Sequence, residues 1–213
     1  MPRKALFTRE HITQKALEIV RKRGIDALTA RELGKALESS PRPVFTVFRN
    51  MEEVLDSVYG NALDLFTDYV SDVTDYHPAF KELGIKTVRF AREEKHLFHY
   101  LFLIKDAENE VLYPKAKECL NDTCREFGIT KRQSERLFRQ MWTFTCGLAL
   151  ISTKDADIYP DKLVSEMLSF QFASTLNRIM SGKKTENITP RIRKKGRTTI
   201  SVVKKGKHAK TPA

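Results

Sequence analysis

The chain has 213 residues, of which 41% are hydrophobic and 31% charged, so wholesale disorder is excluded and a sizeable core can be buried. With 9 Gly and 8 Pro it is too poor in turn residues for a sandwich or barrel. Three Cys, no apolar leader and no apolar run near the ~18 residues a membrane helix needs predict a soluble, cytoplasmic protein without a disulfide framework or membrane partner.

The formal charge of +11 is unevenly distributed. From Lys183 onward eleven basic residues face a single acid, Glu186, so the tail carries nearly all of it. Residues 1–50 hold a further local excess of six, which 51–182 offsets with a net five negative charges. Two basic ends predict a polyanionic partner.

In chain order the body reads as helix after helix, over 8–23, 29–36, 41–47, 51–76, 79–93, 95–104, 114–127, 131–153 and 160–181. The strongest signal is Met51, Val54, Leu55, Val58, Ala62, Leu65, Phe66, Tyr69 and Val73, whose spacing of three and four makes one apolar stripe. Pro78, Pro114 and Pro160 precede periodic runs, and Gly24, Gly128 and Gly182 follow them, the asymmetry expected of helix starts and stops. Gly34, Gly60, Gly84 and Gly147 fall inside the patterns, where close helix approach is expected of them. Beyond Gly182 the apolar residues are too few for a core, and 183–213 is expected to be a disordered basic tail. Two readings of the tail stand side by side: phosphate contact with steep salt dependence, or a solvated extension.

Residues 8–55 carry the most information. A helix ends at Gly24. Thr29 then caps a short helix, with Glu32 at the capping-box position. After the turn Glu38-Ser39, Ser40 caps a second short helix, Pro41 to Val47. Two short helices joined by a tight turn, with a longer helix across them, describe a helix-turn-helix whose second member fits the DNA major groove.

The run Ile12…Ala16-Leu17…Gly24…Leu28-Thr29-Ala30-Arg31-Glu32-Leu33 resembles the first two helices of the TetR family of bacterial transcriptional regulators. Leu37 to Phe48 is similar to that family's turn and recognition helix, and Arg49-Asn50-Met51-Glu52-Glu53-Val54-Leu55 to the start of its long fourth helix. Trp142-Thr143-Phe144-Thr145-Cys146-Gly147-Leu148 resembles a run in its C-terminal domain. Three positions depart from the family: Glu38 stands where Gly is usual, Phe45 where Tyr is, and Met51 where Lys is. Either Glu38 adopts a left-handed conformation, at about 1–2 kcal/mol, or the turn differs. Pro43 also disfavours the helical region for Arg42, so an irregular first turn is expected.

The resemblance implies an all-α chain with a DNA-binding domain over 1–50 and an effector-binding and dimerisation domain over 51–182. It implies a repressor that binds a near-palindromic double-stranded operator as a homodimer and answers to an unidentified small-molecule effector. The DNA contacts it implies are Thr29, Arg31, Ser40, Pro41, Arg42, Pro43, Phe45, Thr46 and Arg49. Arg42 is the candidate for base readout, because a guanidinium pairs with guanine O6 and N7. Effector contacts are expected at Phe90, Phe98, His99, Phe102, Trp142 and Cys146. A dimer contact through the last two helices is expected at Phe138, Leu148, Ile151, Leu168, Phe172 and Leu176.

No metal site, cofactor or catalytic constellation is expected. His96 with His99, and Cys119 with Cys124, lack two further ligands, and no phosphate-binding Gly-rich loop follows a strand. A reading from another class is a helical protein–protein adaptor whose basic ends bind RNA or acidic partners non-specifically; sequence-selective duplex binding separates the two.

Overall fold

A computed structural model describes residues 7–71, 79–105, 121, 123–155 and 157–181; the expected tail over 183–213 lies outside them. Among the described residues every regular element is helical. In order these are α1 (Arg9–Arg23), α2 (Ala30–Ala36), α3 (Val44–Val47), α4 (Met51–Ser71), α5 (Ala79–Glu93), α6 (Lys95–His99), α7 (123–127), α8 (Lys131–Ser152) and α9 (Asp161–Met180). No described helix is long and apolar enough to cross a membrane.

The helix ends follow from local chemistry. Thr8, Thr29 and Thr130 cap α1, α2 and α8, each hydroxyl oxygen accepting the backbone N–H three residues on, from His11, Glu32 and Gln133. At α8 the Gln133 side chain completes a capping box. At α2 the expected box is half formed, because the Glu32 carboxylate turns away to Arg23 at 2.9 Å and Lys35 at 2.7 Å. Gly24 and Gly128 both have positive φ, 85° and 61°, as expected past a helix end.

Two helices depart from the periodicity. The second short helix is expected over 41–47, yet only Val44–Val47 is α-helical. Pro41 and Pro43 supply no N–H, and the chain before Val44 closes with three-residue turns, Val44 to Pro41 at 3.1 Å and Phe45 to Arg42 at 3.1 Å. The helix expected over 95–104 is α-helical only to His99; Tyr100–Ile104 forms a π-turn closed by the Lys105 N–H to the Tyr100 carbonyl at 3.0 Å. Of the helix expected over 51–76, Met51–Ser71 is described, and of that over 114–127 only 121 and 123–127.

Helix α5 is the inner strut, packed on α4, α6, α8 and α9. At Gly84 a methyl group would sit 2.9 Å from Leu168 Cδ1, so glycine sets the α5–α9 approach. The same holds at Gly34, where a Cβ would lie 2.8 Å from the backbone nitrogen of Pro41. Gly60 and Gly147 do not fit the close-approach expectation, since nothing lies within 4 Å of a Cβ at either.

The turn between α2 and α3 resolves the alternative posed by Glu38. Its φ is 52°, and it is the non-glycine residue with positive φ among those described. Glu38 N–H reaches the Lys35 carbonyl at 2.9 Å and Ser39 N–H the Gly34 carbonyl at 2.9 Å, the paired bonds of a Schellman motif. Replacing Glu38 by Gly keeps both bonds and removes the Cβ strain. Glu38→Gly is therefore expected to stabilise the fold by about 1 kcal/mol in urea denaturation; an unchanged or lower midpoint would contradict the strain.

Candidate nucleic-acid interface

The helix-turn-helix is held from beneath by buried apolar side chains. Ile12, Ala16, Leu17, Ile19 and Val20 of α1 pack in one core with Leu28, Leu33, Leu37, Val44 and Phe48. With Val44 and Phe48 pinned inside and Val47 half-buried against them, the middle of α3 is turned outward: Phe45 is 44% exposed, Thr46 is exposed, and Arg42 is exposed on the preceding turn. Thr29, Arg31, Ser40 and Arg49 are also exposed, while Pro41 and Pro43 are half-buried. All nine expected contact residues thus reach the surface of the head, within two short helices and their flanking turns.

Hydrogen bonding refines what some of them can do. The Thr29 hydroxyl oxygen accepts the Glu32 N–H at 3.2 Å, which leaves its proton to donate to an anion. Thr46 Oγ1 donates to the Pro43 carbonyl at 2.7 Å, so toward a base it is left as an acceptor.

Five of the six described arginines of the head, all but Arg49, divide into two groups. Arg9 bonds Glu53 at 2.9 Å and lies 4.3 Å from the centre of the Phe48 ring. Arg21 Nε donates to Glu94 at 2.9 Å, and Arg23 pairs with Glu32 at 2.9 Å. These three fasten the domain together. Arg31 and Arg42, by contrast, are exposed and ion-paired to no described residue. Both lie within the α2–α3 unit, Arg31 in the first turn of α2 and Arg42 in the turn before α3, where uncommitted guanidinium groups suit phosphate or guanine.

Glu53 is a residue that sequence reasoning missed. Asn50 Oδ1 accepts the Glu53 N–H at 2.9 Å, capping α4, while the Glu53 carboxylate accepts the Arg49 N–H at 2.7 Å and the Arg9 guanidinium. Those bonds, the backbone one foremost, hold its carboxyl below the usual range. The spacing Asn50-x-x-Glu53 is a capping signature and was available; the partner 44 positions away was not. Through Arg9–Glu53 and Arg21–Glu94, α1 is tied at its start to α4 and at its end to the α5–α6 joint.

The expected effector residues separate. Phe90, Phe98, Phe102 and Trp142 come together with Phe66: ring centroids lie 5.0 Å apart for Phe66–Phe90, 4.9 Å for Phe66–Phe102 and 5.7 Å for Phe102–Trp142. The π-turn at Tyr100–Ile104 carries Phe102 into this cluster. Cys146 is half-buried. His99 is exposed, which removes it from any interior site because its helix turns that face to solvent. A cleft of about 650 Å³ lies between α1 and α4, lined by Arg9, His11, Gln14, Ser57 and Asn61 among others, and by none of the six.

The expected dimer residues separate as well. Phe138, Leu148, Leu168 and Leu176 are buried within one protomer, and Phe172 is half-buried against Phe127 with ring centroids 5.6 Å apart. Their second neighbour is the chain's own core rather than another subunit. Ile151 alone of the six is exposed, at 42%. Phe170, at 75%, is the most exposed large apolar side chain among those described. No cluster of three or more potential metal ligands occurs among the described residues.

The fold is similar to that of a transcriptional regulator from Rhodococcus sp. Rha1, with a TM-score of 0.58 and 18% identity over 79% of this chain and 95% of that one. No protein-family model matches the chain. No curated protein matches it either.

Glu32 gives the head a pH dependence. Bonds from Lys35 and then Arg23 lower its carboxyl from 4.5 to about 2. Because the folded value is the lower one, its contribution is complete above pH 4.5 and is lost as pH falls toward 2. Thermal melts of Glu32→Gln should therefore decline less steeply than wild type across that window; parallel acid limbs would contradict the assignment.

Proposed function

We propose that the chain is a sequence-selective, DNA-binding transcriptional regulator of the TetR type. The observation that carries this reading is the sorting of the arginines: Arg9, Arg21 and Arg23 are consumed in holding the head together, while Arg31 and Arg42 are exposed on the helix-turn-helix and ion-paired to no described residue. The fold shared with a bacterial transcriptional regulator supports it.

In this reading Arg42 reads a base edge in the major groove, flanked by Phe45, Thr46 and the two prolines, which offer apolar contact to a thymine methyl. Thr29, Arg31, Ser40 and Arg49 hold phosphates on either side and fix the register. The protein acts as a homodimer, because two recognition helices about 34 Å apart are what read a near-palindrome. The exposed Ile151, one of the six residues expected from sequence, and the exposed Phe170 lie on α8 and α9 and favour that pairing. As a repressor the dimer answers to a small-molecule effector received near Phe90, Phe98, Phe102, Trp142 and Cys146. The tie between α1 and both α4 and the α5–α6 joint supports a route from that site to the head. An effector works only by its difference in affinity for the two head spacings.

The test is a titration of Arg42→Ala against the duplex the wild-type protein selects. It should lose about 1–3 kcal/mol of binding and relax preference at one position in each half-site. Equal affinity and equal selectivity would remove Arg42 from base readout.

A further inference from the structure

We infer that the first half of α8 is a second phosphate-binding surface, which takes the backbone of a DNA duplex other than the one held by the helix-turn-helix. Lys131, Arg132, Arg136 and Arg139 are all exposed. The spacing of the three arginines places them on one helix face, at successive turns. None of the four is ion-paired to a described residue, although Glu135 stands among them.

Two of the four, Lys131 and Arg132, stand in the first turn of α8, where a cation works against the helix itself. The start of a helix carries the positive end of its dipole, so a cation there is unfavourable. Helices α1, α2, α4 and α9 place acids in their first turns, whereas α8 has none and opens Lys131-Arg132. The capping box of Thr130 and Gln133 satisfies backbone N–H groups there but does not neutralise the cations, and an external anion on the stripe would.

The geometry sets this surface far from the head. Arg21 of α1 reaches Glu94 at the end of α5, and there Arg89 and Arg92 grip Asp161, the first residue of α9, at 2.7 and 2.6 Å. From that point the 20 residues of α9 run about 30 Å. At the far end the Gln133 side chain donates to the Ile179 carbonyl at 3.4 Å, which fixes the start of α8 there. DNA, with a persistence length of about 50 nm, does not fold back over such a distance. The anion on α8 is thus a separate segment, and one protein holds two.

Chemistry favours a nucleic-acid backbone over a lipid surface. Three of the four cations are arginines, whose fork matches phosphate. The exposed residues over 131–140 are Lys131, Arg132, Glu135, Arg136, Arg139 and Gln140, with no apolar side chain to enter an acyl layer. The uncharged second half of α8, Gln140–Ser152, contains the exposed Leu150 and Ile151, so the apolar surface and the basic stripe occupy different halves of one helix.

The experiment is a bridging assay with the full chain: a bead-bound 40-base-pair duplex, protein, and a second labelled duplex of unrelated sequence. Wild type should capture the labelled duplex. The triple variant Arg132→Gln, Arg136→Gln and Arg139→Gln should lose capture at least tenfold while binding the bead-bound duplex within twofold of wild type. The salt slope for the second duplex should become shallower by about 2.7, for three phosphate contacts. Removing the cations relieves the dipole, so a melting temperature no lower than wild type checks that the variant folds. Undiminished bridging by the folded variant overturns the inference, as does capture of anionic-lipid vesicles or single-stranded RNA in place of the duplex. The inference rests on the regulator reading only for the first duplex. Arg42→Ala loads less protein on the bead-bound duplex but leaves the labelled duplex captured per loaded protein unchanged, whereas the α8 variant loads normally and captures less, so the two proposals fail separately.

Discussion

Helix α1 has to satisfy two sets of neighbours at once, and the arrangement of the head follows from how it does so. One part of its surface, through Ile12, Ala16, Ile19 and Val20, is buried in the core that holds α2 and α3. Its polar ends are held by carboxylates from the rest of the chain: Glu53 takes Arg9 and Glu94 takes Arg21. Both are partly exposed charge pairs, worth little singly in water. Their effect is geometric, because they sit at opposite ends of a 15-residue helix and fix its orientation rather than its existence. A head built on a helix fixed at two points moves when either anchor moves.

Within the head, the place of α3 depends on two backbone facts. Gly34 lets α2 approach the Pro41 backbone more closely than any side chain would permit, and Glu38 accepts a left-handed conformation so that Ser39 can turn back to Gly34. The prolines then shorten α3 to a single turn and present Arg42 on a tight bend rather than a regular helix. The strained Glu38 adjoins the exposed turn that carries Arg42.

Much of this was legible in the sequence because it is local. The caps at Thr29 and the glycine stops at Gly24 and Gly128 are short-range chemistry, whereas a left-handed Glu38 was one of two alternatives raised by the Gly usual there in the family it resembles. The π-turn at Tyr100 was not legible, since the apolar spacing of Phe98, Leu101 and Phe102 also suits an α-helix. Long-range choices were hidden too. Arg9, Arg21, Arg31 and Arg42 look alike in the sequence, and only packing reveals which two meet Glu53 and Glu94. Leu148, Leu168 and Leu176 read as surface because a helix apolar on several sides needs several neighbours, and periodicity does not say whether those belong to the same chain. Here α5 supplies them.

The central claim is that this head reads duplex DNA in a sequence-selective way and in pairs. Selection of bound duplexes from a random pool, at about 150 mM salt where bare electrostatic attraction is weakened, tests it directly. A near-palindrome whose half-sites lie about one helical turn apart should be recovered. Recovery of sequences no different from the starting pool would contradict it and leave the exposed arginines without a base to read.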